Sequence, residues 1–419
     1  MLRPSASACA CACAALFLLL SACATSSTTT SSQADPATAE AVQASAEAQV
    51  VARLKENYRR DPSSATVLFW NEQERRYGFK NAEQVNFTRT IAAGDSPLVF
   101  GAHLIDLTAV PYTVDDSEFT LANFVSNSAN IGLLVVQGGD VIYEHYAPGN
   151  DRNSRWISFS VTKSVTSMLI GAAIQDGYIS SVNDKVVDYL PRLRNSAYEG
   201  ASIADVLHMA SGVAWDETYA DRESDVAKAG GFNGIELTRY LHDLPNEAQP
   251  GTKFNYNTGE TNLVGEILRA AIGNNAATYL SHKIWQPFGM AADANWLIAG
   301  PGGGELGGCC ISATLRDYAR VGLFALGNGQ LADGTQVLPE GWMTQSTTPS
   351  RGFAGYGYLW WLADDGAYSA RGIFGQQILV DPKNDLVIAL HSNAPAAVNT
   401  DYHQHLDAAL GAIRKRLAK

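Results

Sequence analysis

The chain has 419 residues, of which 46% are hydrophobic and 17% charged, and its formal net charge is −12. This composition excludes a disordered or fibrous chain, and the acidic balance without a basic run excludes a nucleic-acid partner. The roughly 360 residues of globular composition exceed what one simple core needs, so a domain with two lobes is expected.

The N-terminus reads as an export signal. Arg3 supplies a thin positive region, and the apolar run from Ala14 to Leu20 is too short to span a bilayer. Leu20-Ser21-Ala22-Cys23 resembles a bacterial lipobox, so residues 1–22 are expected to be a lipoprotein signal peptide and Cys23 the lipidated first residue. Ala24, in place of Asp, resembles outer-membrane sorting, which implies a membrane-anchored lipoprotein of the bacterial cell envelope facing the periplasm. Residues 23–45 read as a flexible tether rich in Ser, Thr and Ala. Glu40 to Arg60 favours helix, and 46–419 is the folded domain.

Cysteine use is sparse. Cys9, Cys11 and Cys13 leave with the signal, which leaves Cys309-Cys310 beyond Cys23. Adjacency makes a disulfide strained, so both read as small buried residues with free thiols. No metal-ligand spacing occurs: His403-Gln404-His405 lacks acidic or Cys partners, and no metal or organic cofactor is expected.

Ile131 to Ala147 reads as a β-hairpin turning at Gly138-Gly139-Asp140. From Ser160 to about Pro339 the pattern is mostly helical, with helices expected at Val161–Asp176, Ser202–Met209, Thr261–Ile272 and Thr314–Leu326 and a glycine-rich loop at Gly300–Gly308. Strands return at Tyr356–Leu362, Tyr368–Asp381 and Asp385–Asn393, and Asp401–Leu417 closes the chain as a helix. The expected fold is therefore α+β: an antiparallel sheet built from both chain ends with flanking helices, plus an inserted, mostly helical lobe. The α/β lobe would span about 46–165 and 345–419 and the helical lobe about 166–344, with a cleft between them.

Ser160-Val161-Thr162-Lys163 opens the first of these helices. It sets a nucleophile and a proton shuttle one turn apart, on one face. Ser160 would sit at the helix N-terminus, where free N–H groups favour developing negative charge. Chance supplies roughly one or two S-x-x-K matches in a chain this long, although no other lysine here has a serine three residues before it. Two further segments complete a pattern: Tyr256-Asn257-Thr258 ahead of a helix, and Ala370-Arg371-Gly372-Ile373-Phe374-Gly375-Gln376 on a late strand.

These three segments, in order and spacing, resemble the β-lactamase and penicillin-binding-protein superfamily of serine hydrolases, over about Asn123 to Asn393. Within it the chain is similar to the class C-related branch, which includes esterases, D-amino-acid amidases and 6-aminohexanoate-dimer hydrolase. The resemblance implies a β-lactamase/transpeptidase-like fold and an acyl-enzyme on Ser160 that cleaves small amide or ester bonds. It implies that Lys163 and Tyr256 carry out acid–base catalysis, with the choice of serine base between them open. Lys163 charge would favour a Tyr256 phenolate. The backbone N–H groups of Ser160 and Ile373 would form the oxyanion hole, and Arg371, Gly372, Thr258 and Gln376 would bind substrate. The third motif carries Ala370-Arg371-Gly372 where β-lactam-processing relatives usually carry Lys-Thr-Gly, and Thr258 stands where an Asn is expected. Those departures weigh against strong β-lactamase or D,D-peptidase activity. These activities, and a catalytically weak envelope-regulatory lipoprotein, remain the alternatives. Tyr356, Tyr358, Trp360, Trp361 and Tyr368 crowd the third motif, and strand alternation would divide them between core and cleft.

Overall fold

Seven strands form the main sheet, in the spatial order Trp361–Leu362, Tyr368–Arg371, Gln377–Asp381, Leu386–Ser392, Asn130–Gln137, Asp140–Tyr146 and Gly101–Ala102. Each neighbouring pair is antiparallel except the last, which is parallel. The computed structural model describes residues 36–61 and 65–419, so the signal peptide and Cys23 lie outside the described residues. Residues 46–419 form one compact unit. Among the described residues no helix is long and apolar enough to cross a membrane.

The interior strand Asn130–Gln137 shows why the sheet is buried on both faces. Its alternate side chains enter different cores: Leu134 and Val136 join Val165 and Leu169, while Leu133 and Val135 join Leu406 and Leu410. The helix Leu315–Leu326 covers the first face and the closing helix Thr400–Arg416 the second. The hairpin to Asp140–Tyr146 turns at Gly138 and Gly139, whose φ of 60° and 86° suit residues without a Cβ.

The helices Val161–Gln175, Ile203–Leu207, Gly234–His242 and Thr258–Ile272 bury most of their apolar residues in a shared core. This region is less helical than its pattern suggests. Ala294–Leu297 and Ile311–Thr314 pair with each other and with Thr88–Ile91 and Arg155–Ile157, making a second, four-stranded sheet. Both inserted strands are four residues long and buried at every position, so no alternation marks them.

Two other strand expectations are corrected. In the segment Tyr356–Leu362 only Trp361–Leu362 join the sheet. Leu359 turns back with φ 61°, and its N–H reaches Leu207 O at 3.0 Å. The stretch Tyr368–Asp381 is two strands, broken by a turn at Ile373–Gly375 in which Phe374 takes φ 62°. That break lifts Ile373 out of the ladder.

Candidate active site

Ser160 follows Phe159, a non-glycine residue with φ 46°, and stands at the N-cap of the helix Val161–Gln175. A left-handed residue directly ahead of a nucleophile is the kind of strain that folds retain at functional sites. Lys163 lies one turn on and is 1% exposed. Its Nζ donates to Ser160 Oγ at 3.0 Å, Thr258 Oγ1 at 3.0 Å and Gly308 O at 2.9 Å. Burial pushes the Lys163 pKa down to about 8, against an opposing pull from the Glu217 carboxylate. The ammonium is therefore fully bonded, yet gives up a proton far more readily than a surface lysine.

Tyr256 precedes the helix Thr258–Ile272. Its loop is fixed by Asn255 N–H on Met209 O at 2.8 Å and by Asn257, whose side chain caps Glu260 N at 2.9 Å. The phenol shares the cleft with Ser160. Burial, then Glu217, raise the Tyr256 pKa well above its ordinary value, and the Ser160 contact only partly offsets them. Lys163 Nζ stands 5.3 Å from the centroid of the Tyr256 ring. The direct Lys163–phenol hydrogen bond that would favour a resting phenolate is not among the lysine's three bonds. Trp361 stacks on Tyr256, with centroids 5.6 Å apart and planes at 21°.

The third segment reaches the same place through a glycine. A Cβ on Gly372 would stand 2.5 Å from Ser158 O and 3.2 Å from Phe159 Cβ, so the strand end seats directly on the turn before Ser160. That close approach sets Ile373 beside Ser160 in one cleft. The backbone N–H groups of Ser160 and Ile373 take part in none of the hydrogen bonds among the described residues. They are two free donors, one at a helix start and one at a turn, facing the same cleft.

The cleft has a volume of about 590 Å³ and is mostly apolar. Ser160, Tyr256, Trp361, Glu217, Tyr219, Arg371, Gly372 and Ile373 all line it. The closing helix adds His403 and Asp407, and the loop before it adds Val398. Arg371 Nη2 pairs with Asp407 at 3.3 Å, while its Nε is buried without a partner.

The structure sorts the expected site residues. Ser160, Tyr256, Arg371, Gly372 and Ile373 line the cleft, and Lys163 lies directly beneath. Thr258 is buried, and its hydroxyl faces Lys163 and Glu217 instead of the cleft. Gln376 is set apart: its amide donates to Ser392 O and accepts from Ser392 N, both at 2.7 Å, so it clips two strands together and is not a substrate contact. His403 Nδ1 lies 2.7 Å from Asn399 O and His405 packs on Tyr112 and Phe119, so the two histidines diverge.

Two features escape sequence reasoning. Glu217, in the loop after Trp215, accepts from Tyr219 and Thr258 beside Lys163. Nothing local separates it from its exposed neighbour Asp216. The second is a correction: Cys309 and Cys310 are joined by a disulfide instead of standing as free thiols. Backbone bonds from Cys309 N to Leu306 O at 3.2 Å and from Leu297 N to Cys310 O at 3.0 Å clamp the chain on either side of the pair. Cys310 is buried, as expected.

A serine at a helix start, a buried lysine one turn on, a tyrosine beside them and two free N–H groups thus meet at one cleft. The beta-lactamase family profile matches residues 122–412, and the chain belongs to that family. It is 27% identical over 363 residues to the 6-aminohexanoate-dimer hydrolase of Paenarthrobacter ureafaciens, covering 81% of this chain and 90% of that protein. A Bacillus anthracis structure named for 6-aminohexanoate-dimer hydrolase superposes with a TM-score of 0.72 at 21% identity, covering 82% of this chain and 94% of that one. A class C beta-lactamase variant superposes at 0.52 with 16% identity, covering 70% and 95%. The fold is the α+β, β-lactamase/transpeptidase-like fold expected from the three motifs.

Proposed function

We propose that this protein cleaves small amide or ester bonds through an acyl-enzyme on Ser160. The observation that carries the reading is Lys163 Nζ at 3.0 Å from Ser160 Oγ, buried and with its pKa brought down to about 8. In acylation the free amine of Lys163 takes the Ser160 proton as Oγ bonds to the acyl carbon. The N–H groups of Ser160 and Ile373 receive the oxyanion. Tyr256, held protonated by burial and Glu217, gives its proton to the leaving group and becomes a phenolate beside the Lys163 ammonium. In deacylation that phenolate takes a proton from water, the hydroxide attacks the ester, and Lys163 returns its proton to the departing Ser160 oxygen. Both residues end as they began.

The apolar walls suit a linear or aromatic acyl chain, and the positive charge of Arg371 on the cleft wall suits an acidic end of the substrate. The relative's name makes linear 6-aminohexanoate dimer a reasonable member of a substrate panel, beside p-nitrophenyl esters and D-amino-acid amides. The sequence Leu20-Ser21-Ala22-Cys23 supports a lipid anchor on Cys23 that holds the enzyme on the periplasmic side of the envelope. The test is labelling by a fluorophosphonate: wild type should become covalently modified on Ser160 and Ser160→Ala should not. Equal labelling of both would defeat the reading.

A further inference from the structure

We propose that Glu217, acting through the Thr258 hydroxyl, sets the direction of hydrogen bonding around Lys163, so that the free amine of Lys163 accepts from Ser160 and from no other group. Glu217 is then a positioning residue for acylation, an inference that rests on the serine-hydrolase reading above.

The argument is one of donors and acceptors. A carboxylate only accepts. Glu217 Oε1 receives the Tyr219 hydroxyl at 2.7 Å and the Thr258 hydroxyl, while Oε2 receives Thr258 N–H at 3.0 Å and the Trp215 indole N–H. The single proton of the Thr258 hydroxyl is thus committed to Glu217. Toward Lys163 Nζ, at 3.0 Å, Thr258 Oγ1 has only a lone pair to offer. Gly308 O, at 2.9 Å, is likewise an acceptor alone. Ser160 Oγ, at 3.0 Å, is the one partner of Lys163 able to donate. When Lys163 is the amine, two of its protons stay on Gly308 and Thr258 and its lone pair faces the Ser160 hydroxyl. The proton on Oγ then passes to Nζ while the Oγ electron pair forms the bond to the acyl carbon.

The same count excludes a second role. Although Glu217 lines the cleft, four donors already fill its two oxygens, which leaves no lone pair facing a substrate ammonium. The other titratable groups lining the cleft with Glu217 are Tyr219, Tyr256, Arg371, His403 and Asp407, and Tyr356 packs on Tyr256. Burial raises the three phenols, with Glu217 adding to it, so none of them competes as a base.

Glu217→Gln isolates the effect. The two N–H donors at Oε2 cannot turn round, so the amide oxygen takes that side and the NH₂ faces the Tyr219 and Thr258 hydroxyls. Both hydroxyls can rotate to accept, so the new amide keeps its partners on both sides. The Thr258 proton then points at Lys163 and competes with Ser160 for its lone pair. We expect kcat for a p-nitrophenyl ester, and the rate of fluorophosphonate labelling, to fall about tenfold or more at pH 8 with KM within about twofold. The limb of the pH–rate profile that reports Lys163 should move to lower pH as the carboxylate charge is lost. In a Thr258→Val background the relay is already cut, and Glu217→Gln should lower kcat less than about twofold further. Thr258→Ser, which keeps the hydroxyl, should stay within about threefold of wild type, whereas Thr258→Val should fall well below it. An unchanged kcat in Glu217→Gln would overturn the proposal, as would an equal fall in both backgrounds or an equal loss in Thr258→Ser and Thr258→Val. If Glu217→Gln does not fold, the Ser/Val pair still decides. Failure of wild type to label on Ser160 would instead overturn the hydrolase reading, and this inference with it.

Discussion

Gly372→Ala tests whether the proposed oxyanion hole depends on how closely the third motif seats against the turn before Ser160. Gly372 has φ −122°, which alanine adopts freely, so the substitution adds a steric contact and no backbone strain. The new Cβ would lie 2.5 Å from Ser158 O. An ordinary carbon–oxygen contact is ~3.3 Å, so strand and turn must part by about 0.8 Å. Ile373 N–H moves with the strand, away from the position the oxyanion occupies. A misplacement of about 1 Å costs roughly 10²-fold, and loss of one oxyanion donor costs roughly 10²–10³ in kcat. We therefore expect kcat for p-nitrophenyl butyrate to fall about 100-fold with KM within about threefold, because the oxyanion forms only on the way to the transition state. Overpacking should lower stability by about 1–3 kcal/mol, which a thermal melt would register as a shift of a few degrees with the fold intact. A kcat within about threefold of wild type would refute the assignment of Ile373 as an oxyanion donor.

Four further outcomes follow from the same structure. In the proposed mechanism the reactive form of Lys163 is the free amine, with its pKa brought to about 8, so kcat/KM should rise with pH by about tenfold per unit below pH 7 and level off above about pH 9; a flat profile from pH 6 to 9 would exclude Lys163 as the base. Asp317 is 0% exposed and accepts from Arg320 Nη1 at 2.8 Å, Ala291 N at 2.7 Å, Ala292 N at 3.2 Å and Thr314 Oγ1 at 2.8 Å, so Asp317→Ala should cost about 3–5 kcal/mol in urea unfolding. His391 is buried among Trp156 and Tyr318 with its pKa pushed down to about 3; the unfolded chain takes up that proton near pH 6.5, so stability should decline as pH falls from about 6.5 toward 3, and His391→Phe should flatten that decline. Expressed in a bacterium with lipoprotein processing, wild type should partition with the membrane fraction and Cys23→Ser should not; identical partitioning would remove the lipid anchor.

The sheet, its flanking helices and the order of the three motifs were legible because they are written in periodicities. Leu133, Leu134, Val135 and Val136 form an unbroken apolar run between turn signals, and the helix Leu315–Leu326 shows its apolar stripe plainly. The second sheet was not legible, because Ala294–Leu297 and Ile311–Thr314 are buried at every position and too short to show a period. Ser160, Lys163 and Tyr256 could be picked out because each sits in a local frame, a helix start or the residue ahead of one. Gln376 was drawn to the site by its place beside that motif. Its amide in fact bonds across the sheet to Ser392, and linear spacing carries no sign of that.

The amino-acid order alone determined the family, the candidate nucleophile and the lysine one turn from it, since helical geometry makes residues three apart neighbours whatever the rest of the chain does. Only the tertiary structure decided what state those groups are in. Burial lowers the pKa of Lys163 and raises that of Tyr256, and burial is a property of the packed chain. The acceptors that hold the lysine, Thr258 and Gly308, come from 95 and 145 residues away. The carboxylate that orients Thr258 comes from a loop whose sequence does not distinguish it from its neighbour.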